Sequence, residues 1–431
     1  MKTTHSLIKT ALGAMVLLGA PACTTNYYDE EQYQKYLDYN SPVDSIDSRH
    51  QWLLTSDHLY QVTALSGINC DTVMILTNNP LNDKTATFLA KAKISDAETV
   101  PLTVNLPFTY QTLYAALVNK DGNYYVTKFS ALQSKVTFGS YSTGIPTSLT
   151  LKPQTYTYIF EKDFPLAGDF DYNDLVQRIS VERTGSKQVA IHVTIAAVGC
   201  NCQLASYIRL MDCKYDDIES VTTANGKTFN DNLPAGSKQL VNNYDILICS
   251  TKNQPVITIC ADAHWAMDPY QSTMENTGAI ALRKYYNTSL DASAEYESRN
   301  PVSQTYIVNF KDSKIADKLT IENLDPFLVA NYNGACYETH MDALKAAQVL
   351  YNYQVDYRIR TMPWMLVIPT ENFCYPLEGI QIGFRKKTQA GSSAMFGAYT
   401  TNNHSFGQWV EDCESNLDWY NYPNDNYVWI F

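Results

Sequence analysis

Short apolar runs separated by turn residues recur along most of the chain. Between Trp52 and Phe138 the runs LYQVTAL (59–65), TVMILT (72–77), VPLTVNL (100–106), TLYAALVN (112–119) and NYYVTKF (123–129) are rich in β-branched and aromatic side chains. Their lengths suit strands, and breaks such as Asn78-Asn79-Pro80 and Lys120-Asp121-Gly122-Asn123 supply the turns. Strands at this spacing, with no helices between them, predict a β-sandwich over residues 50–145. The stretch 139–153, rich in Ser, Thr, Gly and Pro, reads as a boundary. The same signature resumes in TYTYIF (155–160), LVQRISV (175–181), VAIHVTIAAV (189–198), YDILICS (244–250), PVITICA (255–261) and TYIVNF (305–310), which predicts a second β domain over 146–431. Helical patterns are confined to MDALKAAQVLY (341–351) and a short stretch over Asp29–Tyr39. The expected class is mainly β, with two β-sandwich-like domains and one or two short helices.

The amino terminus has a different pattern. Lys2 and Lys9 precede the apolar run Ala11–Ala20, which is too short to span a bilayer and suits a secretion signal over 1–22. Ala20-Pro21-Ala22-Cys23 resembles a bacterial lipobox, in which the cysteine after the cleavage point is lipidated. The alternative is a soluble secreted protein cut nearby. Residues 23–49 then form a polar tether, and Asp29, Glu30 and Glu31 resemble the acidic signals that send some Gram-negative lipoproteins to the outer face. The expected location is the outer membrane of a Gram-negative bacterium, exposed at the surface and attached through the lipid on Cys23.

Composition narrows the partners. The 431 residues carry 32 Lys+Arg against 44 Asp+Glu, a net charge of −12, which argues against a nucleic-acid binder. The 32 tyrosines suit half-buried strands. Beyond Cys23 nine cysteines remain, an odd number that cannot all pair internally. Cys249 and Cys260 flank one polar turn between two apolar runs, so a hairpin there would set them on facing strands as a candidate disulfide. Cys200-Asn-Cys202 lacks a second metal-ligating pair, and buried thiols are the plainer reading. The chain has no G-x-S-x-G elbow, H-E-x-x-H pair, phosphate-binding loop or dinucleotide fingerprint, and no residue stands out as catalytic.

The sharpest motif is Gly168-Asp169-Phe170-Asp171-Tyr172-Asn173-Asp174. Asp169, Asp171 and Asn173 put oxygen side chains at alternate positions, the opening spacing of a calcium loop. It is not an EF-hand, because Asp174 and Ser180 replace the required Gly and Glu and a strand-like run follows. Asp169, Asp171, Asn173 and Asp174, with Glu161 or Asp163, are the expected Ca²⁺ ligands. Outside the cytoplasm calcium is plentiful enough to fill weak sites. The alternative is a turn in which these side chains cap backbone amides.

This segment resembles the LruC domain of bacterial surface lipoproteins, whose hallmark joins Phe-Glu-Asp to Gly-Asp-Tyr-Asp-Phe-Asn-Asp-Leu-Val. Further landmarks follow in order: Ala196–Gly199, Leu324-Asp325-Pro326-Phe327, Met362-Pro363-Trp364, Tyr375-Pro376-Leu377-Glu378, Phe406-Gly407-Gln408-Trp409 and Asp418-Trp419-Tyr420. Lys162 replaces the hallmark's Asp, and His340-Met341-Asp342 stands where the family tends to have His-Leu-Pro-Gly. The resemblance implies an exported β-rich lipoprotein domain and supplies no catalytic residues. A non-enzymatic binding or structural role is therefore expected, with Trp409, Trp419 and Tyr420 as candidate rings for stacking on glycans, or contacts to host surface proteins; the alternative is that most of these rings fill the core or an inter-domain seam. The rivals are a glycan-degrading enzyme using carboxylates and a fibre subunit joined by strand addition.

Overall fold

Alternation and β-branching produce paired sheets in both spans of the computed structural model, which describes residues 46–148, 150–162, 168–231, 245–250, 252–269, 283–291, 293, 295–332, 335–341, 363–387 and 393–430. Cys23, the acidic tether residues, Asp163 and nearly all of the expected helix 341–351 lie outside these residues. In the first span a three-stranded sheet is centred on Thr55–Thr63. It faces a six-stranded sheet whose middle strands are Thr112–Asn119 and Cys70–Leu76. Tyr60, Val62, Val73, Ile75, Val104, Leu113 and Leu117 fill the space between them.

The second span repeats the arrangement on a larger scale. One sheet runs in the order Ile218–Thr223, Val302–Phe310, Gln188–Ala197, Leu175–Arg183, Tyr156–Phe160, Met365–Ile368. Its partner runs Leu247–Cys249, Pro255–Cys260, Gln203–Leu210, Leu324–Tyr332, Ala335–Thr339. Ile179, Ile191, Val193, Leu204, Ile208, Ile257, Tyr306 and Leu328 meet in the core between them. The fold is mainly β, as the patterning predicts. The two spans touch through polar contacts: the Tyr156 hydroxyl donates to Asn105 O at 2.9 Å, and the Thr320 hydroxyl to Asp57 at 2.8 Å.

Three short α-helices occur among the described residues: Ala263–Met267, Ser313–Ala316 and Phe406–Glu411. None of the described helices is long and apolar enough to cross a membrane. Phe406–Glu411 starts at Ser405, whose hydroxyl accepts from Gln408 N, and it buries Phe406, Trp409 and Val410. That face packs into an aromatic core with Trp52, Tyr172, Phe373, Tyr375, Tyr399 and Trp419.

Two expectations are corrected here. The hairpin Leu247–Cys249/Pro255–Cys260 forms, but its register sets Cys249 opposite Pro255, not opposite Cys260. The cysteines lie at opposite ends of the pairing, one exposed and one buried, and both are free. Trp409 and Trp419 have no exposed surface and Tyr420 only 8%. The two indoles stack at 5.8 Å, and Phe406, Phe373 and Tyr399 take further faces and edges. Burial against one another leaves these rings no face for a sugar.

Candidate metal centre

The acid loop connects the strands Tyr156–Phe160 and Leu175–Arg183. Glu161 follows the first of these; its N–H donates to Trp364 O at 2.9 Å and its side chain is fully buried. Gly168 lies against that carboxylate so closely that a β-carbon there would stand 1.9 Å from Glu161 Oε1. Along the next five residues the chain alternates. Phe170 (φ 61°) and Tyr172 (φ 53°) take the left-handed conformation, which costs about 1–2 kcal/mol for a residue with a side chain. Both rings are buried in the aromatic core, and the Tyr172 hydroxyl donates to Pro363 O at 2.9 Å. Burying a ring of this size contributes about 2–3 kcal/mol, enough to offset the strain.

Glu161, Asp169 and Asp171 each present a carboxylate oxygen, and these oxygens lie within 4.8 Å of one another. Asp171 is buried; its Oδ1 accepts from Asn173 N at 3.1 Å and its Oδ2 from Gly379 N at 2.8 Å. Burial, with Asp169, Asp174 and Glu378 nearby, pushes its pKa well above the usual carboxylate range. Asp174 is differently placed. Lys162 Nζ lies 2.9 Å from its Oδ1, and Lys162 N donates to its Oδ2 at 2.7 Å. The lysine that departs from the LruC hallmark thus supplies the counter-charge for Asp174. Asn173 is fully buried and its amide donates to Pro376 O at 3.1 Å, while its Oδ1 accepts no hydrogen bond from the described residues. Gly199 closes the back of the loop: its N–H donates to Asp174 O at 3.0 Å, and a β-carbon there would stand 1.9 Å from Asn173 Oδ1.

Glu378 completes the acidic surroundings from a segment more than 200 residues downstream of Asp171. Burial, then Asp174 and Asp169, push its pKa up to about 8, against the opposing effect of Lys162. The Tyr-Pro-x-Glu pattern marks this segment in the sequence, but only the fold brings it to the loop. Two ionised carboxylates 4.8 Å apart repel by on the order of 3 kcal/mol at an effective dielectric of about 20. Backbone N–H donors such as those to Asp171, retained protons or a bound cation would each relieve the cluster. Calcium–oxygen distances of about 2.3–2.6 Å place opposed ligands up to about 5 Å apart, so three oxygens within 4.8 Å of one another are close enough to share one such cation.

Residues 187–420, more than half of the chain, match the family described as "Domain of unknown function (DUF4842)". The chain belongs to the DUF4842 family. The DUF4842 match begins after Asp174, so it takes in Gly199 and Glu378 but not the acid loop itself. No curated protein is significantly similar to the chain. Among solved structures it is similar to a "Putative lipoprotein from Bacteroides ovatus", with a TM-score of 0.50 and 13% identity over 84% of this chain and 99% of that one. A biofilm associated protein B domain aligns over 86% of this chain and 99% of that one at 11% identity, with a TM-score of 0.16 that carries no weight.

In this DUF4842 protein a second charged group forms through pairings that the sequence does not reveal. Arg209, 1% exposed, donates to Asp325 and to Glu338 at 3.0 Å each. His340 bridges the same two acids, with Nδ1 2.9 Å from Asp325 and Nε2 2.9 Å from Glu338. Phe327 stacks on the imidazole at 4.7 Å, and its ring centroid lies 4.8 Å from the guanidinium. Burial opposes charge on His340, but the two acids outweigh it and hold its pKa above the ordinary 6.5. This network spans the neighbouring strands Gln203–Leu210, Leu324–Tyr332 and Ala335–Thr339 and ties them edge to edge.

Proposed function

We propose that this DUF4842 protein is an exported envelope protein, anchored to the outer membrane by a lipid on Cys23 and facing outward, with a binding or structural role. In this reading Glu161, Asp169 and Asp171 hold a structural Ca²⁺, with Glu378 and Asn173 beside it. The observation that carries the calcium assignment is the convergence of three carboxylates from one loop, one of them fully buried and another 98% buried. Asp174, paired with Lys162, holds the loop rather than the ion. Support for the anchor comes from the lipobox-like Ala20–Cys23 and from the fold shared with a protein that is itself described as a lipoprotein candidate. The LruC landmarks from Ala196 to Trp419 fall inside the DUF4842 match, so we treat the two as one family.

The binding reading draws on one surface feature. A cleft of about 600 Å³ is lined by Asn287, Ser298, Arg299, Asn300 and Trp429. Trp429 is only partly buried, unlike Trp409 and Trp419, and could present its ring to the C–H face of a sugar. Calorimetric titration of the chelator-treated protein tests the calcium reading; absence of binding heat refutes it. Cys23→Ala should move the protein from the membrane to the soluble fraction and abolish labelling by a lipid precursor. Unchanged partitioning refutes the anchor. Glycan-array binding that survives Trp429→Ala removes the cleft from consideration.

A further inference from the structure

The link between strands Gln188–Ala197 and Gln203–Leu210 carries Cys200 and Cys202, whose sulfurs lie 3.5 Å apart. Both are free thiols; Cys200 is 1% exposed, and Cys202 is partly accessible. The backbone around them is held on several sides. Gly199 N donates to Asp174 O at 3.0 Å, and His264 Nε2 donates to Cys200 O at 2.7 Å. Gln203 starts a strand in register with Asn331. The imidazole is itself fixed, with Nδ1 3.0 Å from Asp262 Oδ1. The two sulfurs are therefore presented to each other by a fixed turn. Closing from 3.5 Å to a bond of about 2.05 Å asks for side-chain rotation rather than chain rearrangement.

We propose that Cys200 and Cys202 form a reversible dithiol/disulfide couple. The oxidant is an external disulfide, either a protein oxidase of the envelope or a small-molecule disulfide. Cys202, the accessible thiol, attacks as a thiolate; its sulfur bonds to one donor sulfur, the donor S–S bond breaks, and the released donor thiolate takes up a proton. The Cys200 sulfur then attacks the Cys202 sulfur and expels the second donor thiolate, which takes up the proton that Cys200 gives up. Two protein thiols are oxidised to one disulfide and one donor disulfide is reduced to two thiols. Cys200 is 1% exposed and Cys202 partly accessible, so an external disulfide meets Cys202 first and Cys200 is left to resolve the mixed disulfide. With a single residue between the cysteines, the bridge removes little chain entropy from the unfolded state. It acts as a redox couple and not as a fold staple. Its place matters, because Gly199, next to Cys200, forms the back wall of the acid loop.

The peptide Gln188–Arg209, bounded by Lys187 and Arg209, contains these two cysteines and no others, so tryptic mass spectrometry isolates the pair. The full chain is incubated across a series of reduced-to-oxidised glutathione ratios, quenched with an alkylating agent under denaturing conditions, and digested. The expected result is a peptide two hydrogens lighter and free of alkyl groups at the oxidising end, converting to a doubly alkylated peptide at the reducing end. Cys202→Ser should abolish the lighter peptide while leaving the melting curve within a degree or so of the parent. Double alkylation at every ratio, or glutathione carried on each cysteine without the internal bridge, overturns the proposal. A bridge that persists at the reducing end overturns its reversibility. None of these readouts depends on calcium, so failure here is separable from failure of the metal reading.

Discussion

Asp171→Asn separates a calcium ligand from a turn cap. The wild-type carboxylate accepts two backbone N–H groups, from Asn173 and Gly379. An asparagine keeps one acceptor oxygen and turns an N–H₂ toward the other donor, so one hydrogen bond is lost, worth about 1 kcal/mol. That loss is independent of calcium. If the site takes Ca²⁺ with a Kd of about 10⁻⁴ M, as extracellular modules do, then 1 mM calcium stabilises the wild type by RT ln 11, about 1.4 kcal/mol. The variant lacks a buried ligand charge and loses most of this increment. The gap between wild type and variant should therefore widen from about 1 kcal/mol in chelator to about 2.4 kcal/mol in 1 mM calcium. Urea denaturation in paired buffers with EDTA or calcium measures both gaps, and a magnesium arm should leave the gap near its chelator value. An equal gap with and without calcium would show that Asp171 only caps the turn.

Three further outcomes follow from the geometry. Arg209→Met leaves Asp325 and Glu338 without their guanidinium and should destabilise the fold by about 3–5 kcal/mol, read as a lower denaturation midpoint at unchanged slope. His340 has a raised folded-state pKa, so its stabilisation is complete below about pH 6.5 and is lost as pH rises through the folded value. Stability should fall over that window, and His340→Gln should flatten the fall; an unchanged slope refutes the assignment. Gly199→Ala drives a methyl group into Asn173 Oδ1 and should cost about 1–3 kcal/mol and abolish the calcium increment, both visible by scanning calorimetry.

What the sequence makes legible divides along physical lines. Runs such as VAIHVTIAAV and LVQRISV are strands because β-branching and apolar continuity are local properties. The convergence of Glu161, Asp169 and Asp171 is nearly local too, since one loop carries all three. Glu378 and the Arg209–His340 network depend on pairings between distant strands, and no local pattern encodes those. Leu324–Tyr332 is hidden for another reason: Pro326 argues locally against a strand, yet it pairs with Ile208 on one side only, since the pairing with Ala335–Thr339 begins at Leu328, and its missing N–H is tolerated there. The cysteine error is one of register. Both strands of the hairpin are evident, but the turn sets which residues face each other, and here it sends Cys260 past the end of the short strand Leu247–Cys249. Burial of Trp409, the alternative to stacking on a glycan, is legible locally, because Phe406, Trp409 and Val410 follow the i, i+3, i+4 spacing of a helix face behind a serine cap.

The buried tryptophans and the acid loop act together. In Asp169-Phe170-Asp171-Tyr172-Asn173 the oxygen-bearing residues alternate with aromatic ones, and the left-handed backbone at both aromatics gathers the carboxylates instead of spreading them along a strand. Neither Phe nor Tyr favours that conformation on its own, so the loop shape must be imposed by what the rings enter. They enter the core built by Phe373, Tyr375, Tyr399, Phe406, Trp409 and Trp419. The carboxyl-terminal aromatic motif thus supports the candidate ion site from beneath, and the separate Tyr375–Gly379 segment approaches it from the side through Gly379 and Glu378. A truncation that removes the residues after Phe396 would take away Tyr399, Phe406, Trp409 and Trp419 and leave the two rings without their packing. The loop would then relax toward an ordinary turn. Calcium binding measured by calorimetry should vanish in such a truncation even where far-ultraviolet circular dichroism still reports native strand content. Retained affinity would show that the loop holds its shape without the aromatic floor.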